Sequence, residues 1–195
     1  MKANYDLIAD EWCKHRKKLP EKDQALFDVF CDCLLPKVRV LDLGCGSGIP
    51  IAKQLVEKGF SIAGVDRSKN LLQQAKGNVP EAIFYQSEIE SYEIRDTYHG
   101  VILWDVLFHF PREKHPAILQ KIFEALTPSG CLILSSGGCD EEIPPFTDFM
   151  FEVEFFYDAF PPKQLLSLCK KIGYKTKNTL FSTNPMEKGI RGELV

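Results

Sequence analysis

Apolar and polar positions along this chain alternate in two periods, and the switches between them predict its elements. Val38 to Leu43 is short, apolar and rich in branched residues, broken only by Arg39 and Asp42, and reads as a buried strand. Phe60 to Val65 repeats that pattern and ends on Asp66; Ala82–Ser87, Gly100–Asp105 and Cys131–Ser136 give three more strands. Helical spacing fills the gaps. Tyr5, Ile8, Ala9, Trp12 and Cys13, with Arg16 below them, share one face of a helix predicted over Tyr5–Lys18. Leu26, Phe27, Phe30 and Leu34 form the stripe of a second helix between Pro20 and Pro36. Ile51–Lys58 is a third, capped by Gly59, and Ser68 N-caps a fourth through Leu71, Leu72 and Ala75. A fifth runs to Leu126, and a sixth spans Pro162–Ile172 before Gly173. Strands over Tyr174–Ser182 and from Gly189 complete a count of seven.

Helix and strand alternate throughout, which predicts a doubly wound, mostly parallel seven-stranded sheet in a three-layer α/β/α sandwich. Ligands of such sheets lie outside the carboxyl ends of the strands, and Asp42, Asp66, Glu88 and Asp105 all fall there. Between the first strand and its helix stand Gly44-Cys45-Gly46-Ser47-Gly48. Glycine lets a backbone turn sharply and come close to a ligand, and the helix start aims free N–H groups at it. Asp42 beside the turn would repel phosphate, and the Lys-Ser/Thr end of a triphosphate loop is absent. A zwitterion suits it better, its carboxylate on the N–H groups and its ammonium near acidic or carbonyl oxygen. Asp66, 20 residues beyond Gly46, sits where an acid holds ribose hydroxyls.

In these two stretches, Val40-Leu41-Asp42-Leu43-Gly44-Cys45-Gly46-Ser47-Gly48 and Gly64-Val65-Asp66-Arg67-Ser68, the chain resembles the class I S-adenosylmethionine-dependent methyltransferases. The resemblance runs from about Tyr5 to Tyr174 and implies S-adenosylmethionine as cofactor. It implies cofactor contacts from Asp42, Gly44, Cys45, Gly46, Asp66, Arg67 and Asp105, and from Tyr5 and Arg16 on an N-terminal helical lid. It further implies that Glu88 accepts from the adenine amino group and Ile89 covers the ring, although most members carry Asp at the position of Glu88. Pro128-Ser129-Gly130 is similar to the turn before the family's fifth strand, and the chain stops early in what would be the family's closing hairpin. For Glu88 the plain alternative is a solvated loop acid, and for the first helix simple packing on the domain edge.

Charge and composition narrow the class. The 195 residues suit one domain, with a helical lid over residues 1–35. A net charge of -3 gives no electrostatic reason to expect nucleic acid. No apolar run reaches the length of a membrane span, and the N-terminus does not read as a signal peptide. Seven cysteines without metal spacing read as reduced thiols of a cytoplasmic protein, with no metal site. Cys45 is either a reactive thiol or a small tolerated side chain.

Residues 137–162 depart from the pattern. Asp140, Glu141, Glu142, Asp148, Glu152, Glu154 and Asp158 stand there without one Lys or Arg, interleaved with aromatic residues. Phe151, Val153 and Phe155 alternate with acids as in a half-buried strand. The segment is either a solvated acidic face over a packed one or a substrate lid preferring a neutral or cationic small molecule. A methyl donor of this kind is already electrophilic, so the protein mainly positions the acceptor. His109, after the fourth strand, is the candidate base, with cofactor shielding or packing as its alternative. No Asn-Pro-Pro-Tyr-type motif follows strand four, which favours a small-molecule acceptor over nucleic acid or protein. Two other readings stand beside methyl transfer: a non-catalytic S-adenosylmethionine-binding domain, and a nicotinamide-dependent oxidoreductase, against which the glycine spacing argues.

Overall fold

The computed structural model describes residues 4–177 and, for the backbone, 192–194. Five parallel strands form the centre: β1 Arg39–Leu43, β2 Ser61–Asp66, β3 Ile83–Gln86, β4 Tyr98–Leu103 and β5 Leu126–Ser136. Their order is β3-β2-β1-β4-β5, so the chain reverses direction across the sheet at the β1/β4 step, beside the glycine turn. β8 (Gly192–Leu194) adds an antiparallel edge, with Leu134 opposite Leu194. Six strands are thus described in this sheet. The strand predicted over Tyr174–Ser182 accounts for the difference from seven: Tyr174–Lys177 is not strand, and the remainder lies outside the described residues.

The pleat sends alternate residues to two cores. Val40, Ile62, Ile102 and Ile133 pack on α2 (Glu21–Asp32) and α3 (Ile51–Glu57) through Leu26, Phe27, Phe30 and Leu55. Leu41, Leu43, Val101 and Leu132 face α5 (His115–Ala125) and α6 (Pro162–Ile172) through Leu119, Ile122 and Leu165. That is the three-layer sandwich. α4 (Lys69–Asn78) starts on Ser68, whose hydroxyl accepts from the Leu71 N–H at 3.1 Å.

Three further elements differ from the sequence reading. β5 already begins at Leu126, so the turn expected at Pro128-Ser129-Gly130 lies within it. The N-terminal helix is divided into a 3₁₀ turn, Tyr5–Leu7, and α1, Ala9–His15. Asp6 holds the turn apart from α1: it accepts from the Ser68 hydroxyl at 2.6 Å and the Asn70 N–H at 3.0 Å. The acidic, aromatic segment is a hairpin, β6 Phe146–Met150 and β7 Val153–Tyr157, separate from the main sheet. Phe151 lies not in a strand but in its tight turn, where Phe151 and Glu152 take φ of 49° and 63°. Of the alternating residues only Phe155 is fully buried. It joins Ile8 in a small core with Tyr5, Trp12, Met150, Val153 and Tyr157, so the N-terminal segment and the hairpin pack on each other. Among the described residues no helix is long and apolar enough to cross a membrane.

Candidate active site

The carboxyl ends of β1, β2, β3 and β4 open into one inner cavity of about 210 Å³. Tyr5, Arg16, Asp42, Gly44, Cys45, Gly46, Asp66, Arg67, Glu88, Ile89, Asp105 and His109 all line it, brought together from one end of the domain to the other. The sequence reading named each of these, but it passed over Trp104, whose place at the end of an apolar strand reads as core.

The glycine turn forms the floor. Gly44 has φ of 83°, and a Cβ there would lie 2.2 Å from Val106 Cγ2, so the position excludes any larger residue. A Cβ on Gly46 would meet nothing nearer than Trp12 Nε1 at 3.9 Å. The space above Gly46 is therefore cavity. Asp66 braces the turn, accepting from the Gly46 N–H and the Ser68 N–H, each at 2.8 Å. A carboxylate offers about four lone-pair sites, so these bonds leave capacity for hydroxyl donors.

Asp42 is buried, and its Oδ2 has no hydrogen-bond partner. Burial first, and the Asp66 charge second, push its carboxyl up to about 7. Trp104 Nε1 is likewise buried without a partner. Such orphaned groups cost free energy unless something bonds them. Together they want a donor on the Asp42 side and an acceptor on the Trp104 side. Burial pushes the Cys45 thiol well up as well, which keeps it protonated and removes the case for a reactive thiolate.

At the far side, Glu88 lies 3.8 Å from the Arg67 guanidinium, both half-exposed, and Ile89 is buried beside them. Lys121 secures this loop by donating to the carbonyls of Ile89, Glu90 and Tyr92. Asp105 takes φ of 55°; its N–H donates to Ser135 Oγ at 2.7 Å, and that hydroxyl donates back to Asp105 Oδ1 at 3.1 Å. Arg16 forms an ion pair with the same carboxylate and lies over the Trp12 ring at 5.4 Å. The N-terminal segment is thereby tied across the cavity mouth.

His109 stands between this cavity and a second, outer cleft of about 820 Å³. Its Nδ1 is 3.0 Å from the Phe156 carbonyl and its Nε2 is 2.9 Å from the Tyr5 hydroxyl. A carbonyl only accepts, so Nδ1 carries the proton and Nε2 accepts from Tyr5. Burial lowers the His109 pKa, which keeps the ring neutral near pH 7. The outer cleft carries an aromatic ladder: Phe146 stacks on Tyr157 at 5.3 Å, and Tyr157 on Phe108 at 6.0 Å. Glu141 and Asp148 also line it, whereas Glu152 and Glu154 do not; the Glu154 carboxylate instead takes the Thr147 hydroxyl at 2.7 Å. His115 is buried and bonds the Phe110 carbonyl at 3.0 Å, a packing role.

Residues 40–130 match the family model described as a methyltransferase domain. Residues 40–130 thus carry a methyltransferase domain. The chain is similar to a carboxy-S-adenosyl-L-methionine synthase of Shewanella loihica, 25% identical over 141 residues, which make up 66% of this chain and 58% of that protein. The chain spans about half the length of the curated relatives it matches, from 43% to 65%. Its fold is that of a SAM-dependent methyltransferase from Methanosarcina mazei, with a TM-score of 0.73 at 20% identity, covering 85% of this chain and 94% of that one. A 1,6-didemethyltoxoflavin-N1-methyltransferase of Burkholderia thailandensis, solved with its substrate and S-adenosylhomocysteine, aligns with a TM-score of 0.72 at 16% identity over 97% of this chain and 81% of that one.

Proposed function

We propose that the protein transfers a methyl group from S-adenosylmethionine to a small-molecule acceptor. The observation that carries this is the inner cavity, with the orphaned oxygen of Asp42 and the open space over Gly46 on its floor. A cationic amino-acid group satisfies Asp42, whereas the backbone N–H groups of Gly44, Cys45 and Gly46 are taken by the Val65 carbonyl and the Asp66 carboxylate, so the turn offers close approach in place of the free N–H donors expected from the sequence. Asp66 would hold ribose hydroxyls with its remaining lone pairs, and Glu88 and Ile89 would hold and cover adenine. Arg67 keeps Glu88 in place. Arg16 and Tyr5 close the amino-acid end, with Asp105 fixing Arg16. When bound, the cofactor supplies an electrophilic methyl group. The chain's own residues then hold the acceptor in line and exclude water.

The outer cleft supports a planar acceptor, neutral or cationic. Its stacked rings favour flat or cationic groups, and Glu141 and Asp148 disfavour anions. The hairpin that brings these groups serves as the substrate lid, the N-terminal segment as the cofactor lid. Seven unpaired thiols support a reducing, cytoplasmic setting. The test is calorimetry with S-adenosylhomocysteine, followed by a metabolite screen with methyl-labelled S-adenosylmethionine. Binding plus label in a small molecule is expected. Binding of nicotinamide dinucleotide instead, or label in nucleic acid, overturns the reading.

A further inference from the structure

We infer that the Tyr5 hydroxyl is the group that takes the acceptor's proton, with His109 behind it as the relay, so that the preferred acceptor is a protic one. This rests on the methyl-transfer reading of the same site. Tyr5 and His109 line both the inner cavity and the outer cleft, where donor and acceptor must meet. Both ring nitrogens of His109 are engaged, Nδ1 on the Phe156 carbonyl and Nε2 on the Tyr5 hydroxyl. An acceptor therefore meets the imidazole only through Tyr5. The phenol can receive a proton on its oxygen while passing its own to Nε2.

The step balances. The acceptor's X–H bond breaks as its X–CH₃ bond forms. Its proton goes to Tyr5 Oη, the Tyr5 proton goes to His109 Nε2, and the electron pair of the broken S–CH₃ bond stays on sulfur. The positive charge leaves the sulfonium and appears on imidazolium, so the total within the site is unchanged. The charged groups around the pair are Asp105 after β4, Asp66 at the end of β2 and Arg16 after α1, and the neutral phenol of Tyr157 on β7 also faces it. Burial keeps Tyr5 protonated and His109 neutral, the two resting states the relay needs, and the Asp105 charge favours the imidazolium once it forms. Tyr5 arrives on the N-terminal segment, against Phe155 at 5.0 Å and Trp12 at 5.2 Å, so the relay is assembled only when that segment is seated.

The experiment uses the whole chain, methyl-labelled S-adenosylmethionine and two acceptor pools. One holds phenols and N–H heteroaromatics, which lose a proton; the other holds pyridines, tertiary amines and thioethers, which have none to lose. Label is expected in the first pool. Tyr5→Phe, which keeps the ring packing, and His109→Asn, which keeps a donor for the Phe156 carbonyl, should each lower kcat by about 100-fold or more, and in His109→Asn S-adenosylhomocysteine affinity should stay within about threefold. The parent's kcat/KM should fall on an acid limb below the ordinary histidine value of about 6.5, and His109→Asn should abolish that limb. Label confined to the aprotic pool or absent from both, variants retaining more than about a tenth of kcat, or an unchanged acid limb overturn the relay alone. Failure of the parent to bind S-adenosylhomocysteine overturns the methyl-transfer reading, and the relay with it.

Discussion

Asp42 couples the site to pH. Its carboxyl, pushed up to about 7 by burial and then by Asp66, keeps a proton on folding that the unfolded chain gives up near pH 4. Between those values the folded state binds more protons, so stability falls as pH rises through that window and levels off above it. A cationic ligand beside Asp42 favours the ionised form and expels the proton. Calorimetry with S-adenosylmethionine in buffers of different ionisation heat should therefore show proton release near pH 7, with affinity rising as pH rises through it. Asp42→Asn should abolish the release, flatten the slope and weaken binding by roughly 1.5–3 kcal/mol. Proton uptake on binding, or a variant that keeps the parent's slope, would refute the coupling. The glycines give a second residue-level test. At Gly46 a valine side chain enters open cavity, and its φ of 55° costs roughly 1–2 kcal/mol. Gly46→Val should thus remain folded by circular dichroism yet lose S-adenosylhomocysteine binding. Gly44→Ala, driven into Val106, should fail to fold. A folded Gly46→Val that binds normally would show that the turn is not the cradle. Asp42, Gly46 and Asp66 were legible because packing has little use for a carboxylate on an apolar strand or for glycines at a strand end. The orphaned Trp104 was not, since one more bulky residue after Val101-Ile102-Leu103 continues the run of a buried strand.

At the level of elements, the hairpin is held by one buried ion pair. Asp158, at its base, accepts from the Arg112 N–H at 2.7 Å and from Arg112 Nε at 2.6 Å, and Arg112 reaches on to Glu142 at 2.9 Å and to the Ile143 carbonyl. This links β7 to the turn before α5. Removing one partner of a buried pair leaves the other charge uncompensated, at about 3–5 kcal/mol. Asp158→Ala should direct that loss to the lid: limited proteolysis should cut early within residues 139–154, with S-adenosylhomocysteine binding weakened but not abolished. Uniform loss of melting temperature without early cleavage would place Arg112 and Asp158 in the global fold instead. Alternation of Phe151, Val153 and Phe155 with acids announced a strand here. The turn at Phe151-Glu152 was hidden, because it uses the left-handed region without the glycine or asparagine that normally signals it. Nor does anything local foretell that Arg112 pairs with a residue 46 positions away. The central strands, by contrast, were legible because burial on both faces demands continuous apolar runs.

Across the whole molecule, the two lids form one closure. The sheet's two cores lie on its faces, but Ile8 and Phe155 make a third core outside them, joining the N-terminal segment to the hairpin. Asp6 ties the same segment to the start of α4 through Ser68 and Asn70. Neither link is readable from periodicity, which assigns Ile8 and Phe155 to buried faces without saying that they face each other. A small core of this kind opens more readily than the sheet beneath it, since few apolar contacts hold it. Truncating Ile8 to alanine removes a buried side chain, which costs about 2–5 kcal/mol in a core that cannot collapse. Because the loss falls on the closure, hydrogen exchange should quicken together in Ala9–His15 and Val153–Tyr157, leave β1 and β4 unchanged, and accompany weaker S-adenosylhomocysteine binding. Ile62→Ala, in the sheet core, should instead lower the melting temperature and quicken exchange throughout. If Ile8→Ala loosens only α1 and leaves the hairpin and the cofactor affinity as they were, the two lids move independently, and Tyr5 meets His109 through its own segment alone.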